Sequence, residues 1–266
     1  MLHSRRRTLE TQKMLGEGAQ TVSSPGRAPC VLAMHGFTGT ASELGPLLDA
    51  LVADGRAVEA PLMPGHGASA DALQDQTFDD WAAAMRAHAR AAVRRHGSVV
   101  LLGFSMGSLV AMHLAAERPP GLAGLIVLGN ALTLHAYARL PFAVVDRFGW
   151  TMPDLFFVKV RAADMRDRAA AAKIATYDRH PMRAAHEVYR AGQRVRREVA
   201  RIACPTLILH GRHDHVCPPK NARWLAENIG AADVTVHEYA NSAHMVAADH
   251  DRNAVARDVL AFLARR

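Results

Sequence analysis

Apolar and polar positions fall along this chain in two kinds of block. Short apolar runs without alternation, at Cys30–Met34, Val99–Leu102 and Leu122–Leu128, read as strands buried on both faces. Longer amphipathic stretches separate them. Thr40-Ala41-Ser42-Glu43 is a capping-box pattern that opens a helix reaching about Asp54, and Thr77-Phe78-Asp79-Asp80 opens another that ends near His96-Gly97. Arg56–Met63 reads as a further strand, and Ser108–Met112 starts the helix behind the second apolar run. Strand and helix alternate, which predicts an α/β fold with a mostly parallel sheet flanked by helices.

The pattern changes between Asn130 and Val199. Strand-like runs stop, and helical stretches are expected around Leu140–Arg147, Lys159–Tyr177 and Met182–Arg201. Alternation returns with Pro205–His210 as strand, Asn221–Ile229 as helix, Val234–Tyr239 as strand and His250–Arg265 as helix. The expected organisation is an N-terminal arm at 1–28 with room for one edge strand, a core at 29–130 and 200–266, and an inserted helical cap at 131–199.

Gly103-Phe104-Ser105-Met106-Gly107 joins a predicted buried strand to a predicted helix. This G-x-S-x-G spacing in strand–turn–helix context suits a nucleophile elbow, a strained turn that lifts a serine hydroxyl above the sheet edge. A serine needs a base, and the base needs an orienting carboxylate. In a parallel sheet both belong just beyond strand C-terminal ends. Asp214 follows the strand ending at His210, and His244 follows the strand ending at Tyr239. The candidate catalytic set is Ser105, Asp214 and His244. Oxyanion donors are expected at the backbone amides of Met106 and Phe37, the latter in the loop His35-Gly36-Phe37 after the first core strand. Phe37 is also expected to wall the acyl pocket. Asn130, at the end of a core strand, is a candidate to contact substrate or to hold the cap.

Composition narrows the partners. The chain has 266 residues, 50% of them hydrophobic, and a formal net charge of +7, which describes a globular protein able to bury a large core. Arginines are dispersed without a nucleic-acid motif, so nucleic acid is not an expected partner. Cys30, Cys204 and Cys217 have no C-x-x-C spacing and read as free thiols. With no apolar export run and no stretch long enough to span a bilayer, a cytoplasmic protein without an integral membrane segment is expected. Monomer and homodimer both remain open. His210, His213, Asp214 and His215 cluster in sequence, but consecutive loop positions rarely converge on one ion, so neither a metal nor another cofactor is expected.

These motifs together, H-G-F-T-G at His35–Gly39, P-G-H-G at Pro64–Gly67, F-D-D-W at Phe78–Trp81, G-F-S-M-G, H-G-R-H-D-H-V at His210–Val216 and N-S-A-H at Asn241–His244, resemble the alpha/beta-hydrolase superfamily. The nearer likeness is to small bacterial carboxylesterases and monoacylglycerol-lipase-like enzymes, over roughly residues 29–265. The resemblance implies the alpha/beta-hydrolase fold, Ser105 as nucleophile, His244 as general base, Asp214 as its orienter, and a structural role for His66. It implies a serine hydrolase acting on carboxylic esters, with short- to medium-chain acyl esters or monoacylglycerols as small-molecule substrates. Two alternatives stand beside it. A thioesterase would use the same chemistry, with a basic cap (Arg161, Arg166, Arg168, Lys173, Arg194, Arg196 and Arg197) facing a phosphorylated carrier. A ligand-binding sensor would keep the scaffold without turnover. Leu134, Phe142, Trp150, Phe156 and Phe157 either line an acyl pocket or form the cap's own core.

Overall fold

The computed structural model describes residues 21–159 and 163–266. The stretch of the expected arm at 1–20 lies outside the described residues, as does Arg161 of the basic set. In chain order the first elements are β1 (Val22–Ser24), β2 (Arg27–Met34), α1 (Gly45–Ala53), β3 (Arg56–Ala60), α2 (Ala70–Gln74), α3 (Phe78–His96), β4 (Val99–Phe104), α4 (Met106–Ala116) and β5 (Leu122–Leu128). An insertion follows: α5 (Ala136–Arg147), β6 (Phe156–Val158), α6 (Arg168–Ala171), β7 (Arg179–Pro181) and α7 (Met182–Arg196). The chain then closes with β8 (Thr206–Gly211), α8 (Lys220–Asn228), β9 (Val234–Tyr239) and α9 (Arg252–Leu263).

Seven strands form one sheet in the order β1-β3-β2-β4-β5-β8-β9. Only the edge strand β1 runs antiparallel to its neighbour. The central strands β4 and β5 read as unbroken apolar runs because helices cover both faces, and every residue of β4 is buried. Two apolar layers result. Leu101, Leu109 and Trp81 belong to one, and Leu102, Leu128 and Phe262 to the other. Each such side chain taken fully out of water contributes about 1.5–3 kcal/mol. Helix α4 has no polar face in its Met106–Ala116 sequence and is buried on all sides.

Local signals explain where helices begin. Thr77 and Asp80 form a reciprocal capping box, Asp80 N donating to Thr77 Oγ1 at 3.2 Å and Thr77 N to Asp80 Oδ2 at 2.9 Å. The helix expected from Thr40 starts as a 3-10 turn, Ala41–Leu44, and becomes α-helical at Gly45. Pro46 has no amide to offer a preceding carbonyl, so the α ladder restarts there.

The insertion departs from the all-helical expectation. Phe156–Val158 and Arg179–Pro181 pair antiparallel as a small hairpin. Within Lys159–Tyr177 only Arg168–Ala171 is described as α-helix. Core partners claim the backbone there instead. Arg166 N and Asp167 N donate to the Asp249 carboxylate at 2.9 and 2.8 Å, Ala175 N to Ser42 Oγ at 3.0 Å, and Tyr177 N to Thr38 O at 3.0 Å. Tertiary bonds of this kind override the helix propensity of an Ala- and Arg-rich segment. Phe142 stacks on His186 and Tyr189 between α5 and α7, whereas Trp150 and Phe157 are exposed. Arg194 pairs with Asp79 at 2.7 Å and Arg196 lies over the Trp224 ring, so these two arginines are engaged by the protein itself.

Candidate active site

The carboxyl ends of β2, β4, β5, β8 and β9 open on one edge of the sheet, and the predicted site residues meet there. Ser105 follows β4 with φ 52° and ψ −119°, a strained turn for a non-glycine residue. Its amide donates to Leu128 O at 3.0 Å, which ties the turn to β5. Gly103 and Gly107 flank it because strand and helix backbones touch: a Cβ on Gly103 would lie 2.4 Å from Gly107 O.

Ser105 Oγ lies 2.9 Å from His244 Nε2, and His244 Nδ1 lies 2.7 Å from Asp214 Oδ2. All three residues are buried, though Ser105 keeps 8% of its surface exposed. Asp214 Oδ1 accepts from Val216 N at 2.8 Å and Cys217 N at 2.7 Å, which aims Oδ2 at the histidine. Gly211 brings the two supporting loops together, since a Cβ there would sit 2.1 Å from Ala243 O.

Electrostatics follow from this packing. Burial pushes the Asp214 carboxyl upward, but His244 and His210 outweigh it and hold the group well below the usual carboxylate range. Burial works against protonation of His244, yet Asp214, backed by Asp164 and Glu43, lifts its pKa above the ordinary histidine value. A base so placed takes a proton at Nε2 while a carboxylate steadies the resulting charge at Nδ1.

Met106 directly follows Ser105, and Phe37 lies in the loop after β2. Met106 heads α4, where amides lack an intrahelical acceptor. Among the described residues the Phe37 amide donates to no protein group. The Phe37 ring stacks on His180 at 5.6 Å between ring centres, with His66 and Trp81 at its edges. His66 Nε2 accepts from Thr38 N at 3.2 Å, a structural task within the loop. Asn130 is fully buried, and among the described residues neither its Nδ2 nor its Oδ1 finds a partner.

Two residues take places at the site that the sequence reading does not assign them. His210 Nε2 lies 2.9 Å from Asp214 Oδ2, so one carboxylate oxygen sits between two histidines. The sequence marks it only as the first residue of the His210–Val216 motif and of the histidine cluster there. Glu43 is buried and accepts from Gly36 N at 2.6 Å, beneath the loop that carries Phe37. The sequence cluster at His210–His215 does not converge: His210 faces Asp214 while His215 bonds Asp164. Cys30, Glu59 and His96 place ligand atoms within 4.8 Å of one another at the opposite end of the sheet. Arg95 already occupies that carboxylate at 2.6 Å, which makes the group a poor cation site.

A parallel sheet with a serine elbow and a histidine–carboxylate pair at its carboxyl edge defines an α/β-hydrolase. The sequence profile of the Hydrolase_4 family, described as serine aminopeptidase, S33, matches residues 27–251, and the chain belongs to that family. It is 27% identical over 238 residues to a thermostable monoacylglycerol lipase of Bacillus sp. strain H-257, covering 88% of this chain and 90% of that one. A carboxylesterase of Bacillus subtilis strain 168 is 22% identical over 242 residues, covering 88% and 92%. Among solved structures, one from the metagenome-derived lipolytic enzymes LipS and LipT superposes with a TM-score of 0.85 at 26% identity, covering 94% of this chain and 99% of that one. Among the described residues no helix is long and apolar enough to cross a membrane.

Proposed function

We propose that the chain is a serine hydrolase of carboxylic esters, with Ser105 as nucleophile, His244 as general base and acid, and Asp214 as its orienter. The observation that carries this reading is the continuous chain of contacts from Ser105 Oγ to His244 at 2.9 Å and on to Asp214 at 2.7 Å. Ser105 Oγ attacks the acyl carbonyl as His244 Nε2 takes its proton. The Phe37 and Met106 amides receive the oxyanion. His244 then protonates the departing alcohol, and water repeats the sequence on the acyl-enzyme. Asn130, fully buried just beyond β5, is proposed to contact substrate or to hold the cap.

Short- to medium-chain acyl esters or monoacylglycerols are the proposed substrates. The lipolytic names of the relatives favour them, as do the apolar cap side chains. The core is proposed to comprise residues 29–130 and 200–266, and the cap 131–199. Three free cysteines suit a cytoplasmic setting. The test is hydrolysis of p-nitrophenyl esters from acetate to palmitate, with Ser105→Ala as control. Activity peaking at short or medium chains and lost in the variant is expected. Activity that survives Ser105→Ala refutes the nucleophile. A wild type inert to esters but active on acyl thioesters redirects the substrate class, and ligand retention without turnover on either identifies a sensor.

A further inference from the structure

We propose that Lys159 is a positioning residue that locks the oxyanion loop from the cap, so that the Phe37 amide is held in its working orientation by the docked hairpin β6–β7. The proposal rests on the reading of that amide as an oxyanion donor. Lys159 extends the hairpin by one step, its own amide donating to Asp178 O at 2.9 Å. Its ammonium reaches down to the core and donates to Thr38 Oγ1 and Thr176 Oγ1, both at 2.6 Å. Each hydroxyl passes the grip to a loop carbonyl. Thr38 Oγ1 donates to Phe37 O at 2.5 Å, and Thr176 Oγ1 donates to Thr38 O at 3.0 Å.

The peptide planes on both sides of Phe37 are thereby fixed. On the far side, Phe37 O is held by Thr38 Oγ1 and Thr38 N by His66. On the near side, Gly36 O shares its peptide plane with the Phe37 N–H and accepts from Gly39 N at 3.2 Å, while Gly36 N donates to Glu43. Gly39 N shares its own plane with Thr38 O, which Thr176 Oγ1 holds, so the direction of the Phe37 N–H is tied to the clamp. Thr38 holds φ 63°, a left-handed conformation that a β-branched residue adopts at a cost and keeps only when its surroundings over-determine it. Lys159 adds to that determination from a different part of the chain, beside Tyr177 N on Thr38 O and His66 on Thr38 N.

The charges agree with the geometry. Burial pulls the Lys159 ammonium down and pushes the Glu43 carboxyl up, and each opposes the other's shift by its own charge. The loop therefore lies between a half-buried cation donated by the cap and a buried acid donated by the core. Charge-assisted bonds of this kind are stronger than neutral ones. His180, on the paired strand, adds the stacked contact on the Phe37 ring.

The test compares wild type, Lys159→Met, Lys159→Arg and Thr176→Val. Each is assayed on a p-nitrophenyl ester with kcat expressed per site titrated by the acyl-enzyme burst, and with the affinity for a trifluoromethyl ketone that mimics the tetrahedral adduct. Lys159→Met is expected to lower kcat about 10- to 100-fold, with KM little changed and ketone affinity falling by the same factor. Lys159→Arg recovers most of the loss, because a guanidinium also donates to two hydroxyls. A role confined to folding would reduce the number of titrated sites and leave kcat per site untouched. Unchanged kcat per site in Lys159→Met, or a loss found only in KM, overturns the proposal. Should Lys159→Met fail to fold, Thr176→Val breaks the same clamp at its next link, and unchanged kcat per site in that variant overturns the proposal equally. A wild type that turns over neither esters nor thioesters would instead refute the hydrolase reading itself.

Discussion

Replacing Gly107 by alanine probes a close backbone approach in the site. A Cβ there would lie 2.3 Å from Met34 O and 2.5 Å from His35 O, where real Cβ contacts stay beyond 3.0 Å. Relief requires a movement of at least roughly 0.7 Å between α4 and the end of β2. Neither side yields cheaply: β2 is hydrogen-bonded between β3 and β4, and α4 is buried on all sides. Alanine gains at most about 1 kcal/mol of helix propensity over glycine, and less in the first turn. Overpacking against a fixed backbone costs about 3 kcal/mol, so destabilisation wins by about 2 kcal/mol or more. In a chain of this size that lowers Tm by roughly 4–8 °C. The same movement separates the Met106 amide from the loop that bears Phe37. A misplacement approaching 1 Å costs about 10²-fold in rate. Thermal melting followed by circular dichroism and burst-normalised ester hydrolysis measure both effects. A Gly107→Ala protein with wild-type Tm and wild-type kcat per site would refute the close-packed elbow.

Two further variants test the electrostatics of the histidine–carboxylate pair. In the proposed mechanism His244 must be neutral to accept the Ser105 proton, so activity is expected to rise with pH through its pKa, and the lifted pKa places the expected acid limb of wild type above the ordinary histidine value. Asp214→Asn removes the charge that lifts it and leaves burial, which acts downward; kcat should fall by about 10³–10⁴ and the acid limb of kcat/KM should move to lower pH. A limb that stays in place would deny Asp214 its electrostatic role. His210→Leu removes a competing donor from Asp214 Oδ2, leaving the carboxylate more basic toward His244. Its acid limb should therefore move to higher pH, and a pH profile superposable on wild type would show that His210 is a bystander.

Legibility in the sequence follows the range of the interaction responsible. The strands at Val99–Phe104 and Leu122–Leu128 are readable because burial on both faces leaves an unbroken apolar run. The start of α3 is readable because its capping box spans four consecutive residues. Ser105, Asp214 and His244 are each marked by a local pattern at a strand end, although Ser105 and His244 meet across 139 positions of chain. The hairpin β6–β7 has no such marking. Its strands are three residues each, and the segment between them is held by Asp249, Ser42 and Thr38, which no local window contains.

The same principle explains why Lys159 is invisible in the sequence and why it matters. Its neighbours along the chain are ordinary cap residues, and its two hydroxyl partners come from the oxyanion loop and from the far arm of the excursion between β6 and β7. A core of parallel strands needs only its glycines and apolar runs to bring Ser105, His244 and Asp214 to one edge. Holding an amide at a developing charge is a finer task, because a loop has no ladder to keep its peptides in place. Here an external clamp does so: a cation from the cap, a carboxylate from below and an imidazole from the side each hold one group of the loop. Substitutions in the hairpin are therefore expected to act on kcat through Phe37 as well as on substrate entry, which couples the part of the chain with the least legible sequence to the chemistry of the most legible one.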